Sequence, residues 1–182
     1  MEIIIVSGLS GAGKTQAVHC LEDLGYYCVD NIPPKLISEF IGLAGNSRAG
    51  MTKLGFVVDI RGGEFFDGLM ACLEDLKKSE NSVKLMFLEA SDATLIRRYK
   101  ETRRTHPLDT GGNITEAIRL EREKLALARR TADFVIDTSK LKKSQLYKQV
   151  MDLIEPGRTE KSFMISSNLF SSSAFLMARR SS

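Results

Sequence analysis

The residues best suited to chemistry lie near the amino terminus, in Gly8-Leu9-Ser10-Gly11-Ala12-Gly13-Lys14-Thr15. The segment satisfies Gly-x4-Gly-Lys-Thr, follows the apolar run Ile3-Ile4-Ile5-Val6 and precedes a helical pattern. Glycines 8, 11 and 13 let the backbone curl until successive N–H groups converge on one anion. A helix starting near Gly13 aims the positive end of its dipole at the same point. Lys14 has the reach and charge to hold β- and γ-phosphates, and the Thr15 hydroxyl can ligate Mg²⁺. The expected ligand of Gly8–Thr15 is a nucleoside triphosphate, ATP or GTP, with Mg²⁺.

Ligands of open parallel sheets bind at the carboxyl ends of the strands, so the polar residues there come next. Asp59 follows Phe56-Val57-Val58 and reads as the carboxylate that holds Mg²⁺ or its water, together with Thr15. A cap for a helix starting at Glu64 is the alternative. Arg61 beside it is placed to meet a phosphate or to lie on the surface. Asp30 either orients a second substrate or an attacking water, or starts the turn into Pro33 with Asn31. Asp137-Thr138-Ser139 is expected near the base pocket, although Ser139 also suits a cap.

Arg97, Arg98, Lys100, Arg103 and Arg104 crowd one helix end, opposed only by Glu101. Like charges at these spacings cost a few tenths of a kcal/mol each on a bare helix, a cost an anion offsets. The chemistry expected of them, of Arg103 and Arg104 above all, is a lid that neutralises charge developing on the γ-phosphoryl group. Asp109-Thr110-Gly111-Gly112 would supply its pivot; a solvated basic face is the alternative. Arg129 and Arg130 fit compensation of a helix dipole. His19 and His106 have no partner at catalytic or ligand spacing and read as structural.

Five apolar segments must position these groups as buried strands: Ile3–Ser7, Tyr26–Asp30, Leu54–Ile60, Val83–Glu89 and Phe134–Asp137. Helical patterns fill 13–24, 34–44, 64–79, 92–104, 115–130 and 143–154. Asn113 and Glu116 have the spacing of a capping box at the fifth of these. Strands alternating with helices define the expected fold class. It is α/β, a kinase-like P-loop NTPase of three layers with a five-stranded parallel sheet covered by helices on both faces.

The 182 residues, 43% of them apolar and 27% charged, suit one domain of ordinary size. No apolar run is long enough to span a bilayer. The odd count of three cysteines has no metal-ligand spacing and fits a reduced, cytoplasmic setting. The net charge of +3 is uneven: residues 97–143 hold 13 Lys/Arg against 7 Asp/Glu. That block is the candidate surface for phosphates, RNA or a regulatory protein. The domain is expected to end near residue 155. Residues 156–182, with seven serines in 166–182, read as a poorly ordered tail.

These motifs together resemble the RapZ/YvcJ family of bacterial nucleotide-binding proteins. The resemblance rests on Ser7–Thr15, Cys28-Val29-Asp30-Asn31-Ile32-Pro33, Val58-Asp59-Ile60-Arg61, Leu88 through Asp92, Arg97 through Leu108, and Ala132 through Ser139, and covers residues 1 to about 155. It implies ATP and GTP binding with weak hydrolysis. ATP would sit at Gly8–Thr15, and the GTP-associated segment would be Asp59-Ile60-Arg61-Gly62. Some members act as RNase adapters and carry a second domain after residue 160 or so; the expectation is that this chain lacks it. The hypothesis for the tail is a remnant or a shifted frame, because the codons for Ser171–Phe175, read two bases on, can spell a family-like Phe-Phe-Gly-Phe. Sequencing the gene tests it; finding no family-like frame downstream sinks it.

Three functions follow as expectations. The first is a regulatory NTPase in which Lys14, Thr15, Asp59 and the arginines of the 97–104 cluster hold and slowly hydrolyse the nucleotide. The second is a small-molecule or nucleotide kinase with Asp30 orienting the acceptor. The third is an RNA-binding module using the basic segment. That segment lacks the interleaved aromatics single-strand binders use.

Overall fold

The computed structural model describes residues 1–45, 50–59, 68–79, 81–103, 105–109 and 111–156. The elements run β1 (Glu2–Gly8), α1 (Lys14–Asp23), β2 (Tyr27–Val29), α2 (Pro34–Gly45), β3 (Lys53–Val57), α3 (Leu69–Lys78), β4 (Ser82–Glu89), α4 (Asp92–Thr102), α5 (Ile114–Thr131), β5 (Phe134–Asp137) and α6 (Lys143–Ile154). All five strands are parallel, in the order β2-β3-β1-β4-β5. The chain steps to one side of β1 for β2 and β3, then to the other for β4 and β5. The carboxyl end of β1 is therefore a topological switch point, where such sheets open a crevice.

Burial explains the layering. Ile3 through Gly8 are all buried, so β1 is covered on both faces, as an unbroken apolar strand in a parallel sheet must be. Phe56 on β3 and Phe87 on β4 are fully buried; each such side chain contributes about 2–3 kcal/mol of transfer free energy. The helices present narrower stripes: Ala17, Val18, Cys20 and Leu21 on α1, and Ala117, Ile118, Leu125 and Ala128 on α5. Charged Glu121 interrupts the stripe of α5 and is itself buried.

Local chemistry sets the helix ends. Ser91 accepts the Thr94 amide with its side chain at the start of α4, and Asn113 accepts the Glu116 amide at 3.2 Å at the start of α5. The expected capping box is only half formed, because the Glu116 carboxylate pairs with Arg119 instead. α4 ends at Thr102, earlier than expected, with Arg103 in the left-handed region at φ 51°. The sequence reading matches β5 and α6 to the residue. β2 is shorter than expected because only Tyr27, Cys28 and Val29 pair with β3. Ile60, the loop and helix start expected over 61–67, Arg104, Thr110 and the tail from 157 lie outside the described residues.

Candidate functional site

The phosphate loop leaves β1 under tight steric control. A Cβ on Gly8, whose φ is 135°, would stand 2.1 Å from the Leu88 carbonyl oxygen, so only glycine lets the loop press against β4. Gly13 closes the loop at φ 105°, again in glycine territory, and α1 starts directly after it. The Ala12 amide is turned inward onto the Leu9 carbonyl at 3.0 Å. Among the described residues, the amides of Gly11, Gly13, Lys14 and Thr15 make no hydrogen bond. Free amides at a helix N-terminus are donors that an anion would take.

Lys14 is 9% exposed. Its Nζ donates to the Gly8 and Leu9 carbonyls at 2.8 and 3.3 Å and lies 3.6 Å from Asp59 Oδ2. The structure thus brings together two of the expected residues, Lys14 from the start of α1 and Asp59 from just beyond β3. Burial of that pair makes its geometry costly to disturb. Thr15 is exposed beside Lys14. Thr15 and Asp59 offer hard oxygen ligands, one hydroxyl and one carboxylate. That small set fits Mg²⁺, which keeps several waters and takes phosphate oxygens for the rest. No cluster of three or more His, Cys, Asp or Glu occurs among the described residues, so a protein-only metal cage has no support there.

The back of the loop is braced by residues the sequence reading assigned elsewhere. Arg98 belongs to the cluster read as a lid, but its guanidinium donates to the Gly11 carbonyl at 2.8 Å, to Thr138 Oγ1 at 3.1 Å and to the Thr138 carbonyl at 2.8 Å. Burial, and then the neighbouring Arg97, push the Arg98 pKa down. The Thr138 hydroxyl donates to the Ala12 carbonyl at 2.7 Å. Arg98 is therefore part of the fixed wall. Arg103 is exposed at the end of α4.

Glu121 was missed altogether. Both its oxygens accept the Ser10 amide, at 3.0 and 3.1 Å, and Oε2 also meets His106 Nε2 at 3.0 Å. The signal was present as a carboxylate on the apolar stripe of α5. His106, read as structural and partnerless, has this partner on the next helix. His19 is exposed and, among the described residues, pairs with Glu22.

A cavity of about 460 Å³ opens beside the loop, lined by Gln16, Arg98, Tyr99, Thr138, Leu141 and Leu146 among others. Lys142 and Lys143 stand on its rim at the N-terminal end of α6, whose first turn has no acidic residue. Cations there oppose the helix dipole, a conflict an anion relieves. Of the segment expected at the base pocket, Thr138 lines this cavity and Asp137 does not.

A second cavity of about 460 Å³ lies across β4 and β5, with Leu9, Phe87 and Leu125 as its apolar lining and Glu89, Arg129 and Asp137 among its polar residues. Arg129, read as a dipole cation, grips the Glu89 carboxylate with two hydrogen bonds at 2.5 and 2.8 Å. The Ser139 hydroxyl and amide hold the Asp137 carboxyl below its usual value. Burial pushes the Cys20 and Cys28 thiols up to about 11 and about 12, which leaves them protonated and unreactive.

The RapZ-like N-terminal domain family matches residues 1–157. The chain belongs to that family. A nucleotide-binding protein of Moorella thermoacetica is 51% identical over 167 residues, spanning 90% of this chain and 55% of that one. A nucleotide-binding protein of Alkaliphilus oremlandii is 45% identical over 166 residues, spanning 91% of this chain and 57% of that one. This RapZ-like chain thus spans a little over half the length of these relatives. Among solved structures, shikimate kinase from Acinetobacter baumannii in complex with shikimate superposes with a TM-score of 0.56 at 19% identity, covering 86% of this chain and 94% of that one. The likeness places the RapZ-like fold with P-loop kinases. Among the described residues no helix is long and apolar enough to cross a membrane.

Proposed function

We propose that the chain binds ATP or GTP with Mg²⁺ at Gly8–Thr15 and hydrolyses it weakly, as the nucleotide-holding half of a regulatory switch. One observation carries the reading. Four uncommitted amides and the Lys14 ammonium converge at the carboxyl end of β1, beside a 460 Å³ cavity of the size and lining a purine needs. The phosphates would lie on the amides of Gly11, Gly13, Lys14 and Thr15, with Lys14 exchanging its loop carbonyls for β- and γ-oxygens. The base would enter the cavity between Arg98 and Leu141. Thr15 and Asp59 would hold Mg²⁺, which supplies charge neutralisation across the β- and γ-phosphates. Domain limits of 1–155 are part of this proposal, as are the GTP role of Asp59-Ile60-Arg61-Gly62 and the lid role of Arg103 and Arg104.

Weak turnover follows from what faces the γ-phosphate. Asp59 already lies against Lys14, so it is better placed to orient the lysine and the metal than to activate water. A second reading, phosphoryl transfer to a bound acceptor, draws on Asp30. It sits exposed after β2, beside Asn31 held at φ 55°, a conformation that costs a non-glycine residue energy. Phosphate release with nucleotide alone supports the switch; release only after one added metabolite supports the kinase. The RNA-adapter reading is weakened by pairing inside the basic segment. Arg97, Arg119, Arg122 and Arg129 are all ion-paired with carboxylates of this chain.

A further inference from the structure

Ser10 stands third in the phosphate loop, and its amide faces away from the side where phosphates would bind. It donates to both oxygens of Glu121, at 3.0 and 3.1 Å, and the Glu121 side chain is fully buried. A trans peptide is a rigid plane whose N–H and C=O point in opposite directions. Fixing the Ser10 N–H on the back therefore fixes the Leu9 carbonyl on the front. That carbonyl accepts the Ala12 amide at 3.0 Å and Lys14 Nζ at 3.3 Å. Glu121 and Lys14 grip opposite edges of one peptide plane.

His106 aims the carboxylate. Its Nε2 lies 3.0 Å from Glu121 Oε2, and its Nδ1 accepts the Leu108 amide at 3.1 Å. An amide N–H needs a lone pair on Nδ1, so the ring proton is on Nε2 and is donated to Glu121. Tyr99 packs on the imidazole at 5.2 Å between centroids. The same Tyr99, with Leu95, lies under Gly11, where a Cβ would meet them at 3.5 and 3.7 Å. The relay runs from the turn after α4, through a buried histidine and carboxylate, to the loop.

We propose that Glu121, oriented by His106, is a positioning residue for Lys14, acting through the Leu9–Ser10 peptide; the proposal rests on the nucleotide-binding reading above. Gln at 121 keeps an acceptor for Ser10 but turns an NH₂ toward a histidine that also donates. Either donor faces donor, or the imidazole changes tautomer and meets the Leu108 N–H. The Ser10 amide is then held by one oxygen in place of two, and the Leu9–Ser10 plane loses its aim without loss of volume.

The test is a double-mutant cycle of Glu121→Gln and Lys14→Ala, read by calorimetric titration with Mg-ATP and with AMP. Glu121→Gln is expected to weaken Mg-ATP binding about tenfold, the worth of one hydrogen bond to a charged group. AMP, lacking the phosphates that Lys14 holds, keeps its affinity. In the Lys14→Ala background the Glu121 substitution adds nothing, because its effect passes through the lysine. Equal losses for ATP and AMP, or additive losses, overturn the proposal. His106→Gln places an amide donor near the position of Nε2 and is expected to bind like wild type, whereas His106→Asn has a donor one methylene too short for Glu121 and is expected to bind like Glu121→Gln; the reverse order contradicts the relay. The ring ¹⁵N spectrum of His106 needs no nucleotide. A protonated Nε2 is required, and a protonated Nδ1 overturns the relay even if the wild-type chain proves to bind no nucleotide, a result that would sink the functional reading separately.

Discussion

Two cavities of about 460 Å³ open at the carboxyl edge of the same sheet, one beside the phosphate loop and one across β4 and β5. Equal volume does not make them equal sites. In the second, Arg129 is joined to Glu89 and Arg122 to Asp92 and the Ala90 carbonyl, so two of its three arginines, all but Arg130, are already matched by oxygens of the chain. In the first, the loop amides are uncommitted and two lysines sit at the wrong end of a helix. An anion entering the first cavity relieves a conflict; entering the second, it must compete with the carboxylates that already hold Arg122 and Arg129. The difference teaches that the state of the charges, more than the space, separates the cavity proposed for the triphosphate from its twin.

A carboxylate placed in the first cavity should make it resemble the second. Leu141→Glu is expected to weaken Mg-ATP binding by more than about tenfold through like-charge repulsion, and to lower the melting temperature because Leu141 packs against the core; titration below the melting transition separates the two. Unchanged affinity would place the nucleotide elsewhere.

Thr138→Val removes the donor to the Ala12 carbonyl and the acceptor for Arg98. A loss of about 1–3 kcal/mol in unfolding free energy is expected, with a several-fold weaker affinity as the loop loosens. Denaturant unfolding and titration of the same variant check it.

Arg129→Met, in the second cavity, should leave nucleotide affinity unchanged. The pair it breaks is half exposed on the arginine side, so stability should fall by no more than about 1 kcal/mol. A loss of ATP affinity there would erase the distinction between the cavities.

The smallest effect is a matter of pH. Ser139 holds the Asp137 carboxyl below its ordinary value of 3.8, through its hydroxyl first and its amide second. The ionised form is favoured in the fold. The resulting stability is therefore present above the ordinary value and is lost as pH falls through the lowered one. The gap between unfolding curves of wild type and Ser139→Ala should narrow in acid, to the part set by the lost bond from the Ser91 amide to the Ser139 hydroxyl. A gap that widens in acid would contradict the sign.

Much of the fold was legible because the strands are short apolar runs ended by charges, as at Phe134–Asp137. The end of β2 was not, since it depends on how far Tyr27, Cys28 and Val29 find partners on β3. In the site, Lys14 and its loop were readable from spacing alone. The braces were not. Arg98 reaches Gly11 and Thr138, 87 and 40 positions away, and a helix full of cations gives no sign of which one turns inward. Glu121 was nearer to being found, because a carboxylate on the stripe of Ala117, Ile118, Leu125 and Ala128 must be satisfied by something buried. What it satisfies, the Ser10 amide, is a backbone group that side-chain spacing cannot reveal.

The most direct test of the account is a calorimetric titration of the intact chain and of Lys14→Ala with Mg-ATP and Mg-GTP. Removing the ammonium that would face the β- and γ-phosphates is expected to weaken both by about a hundredfold or more, roughly 3 kcal/mol, with the fold intact by circular dichroism. Affinities unchanged in the variant would contradict the central claim.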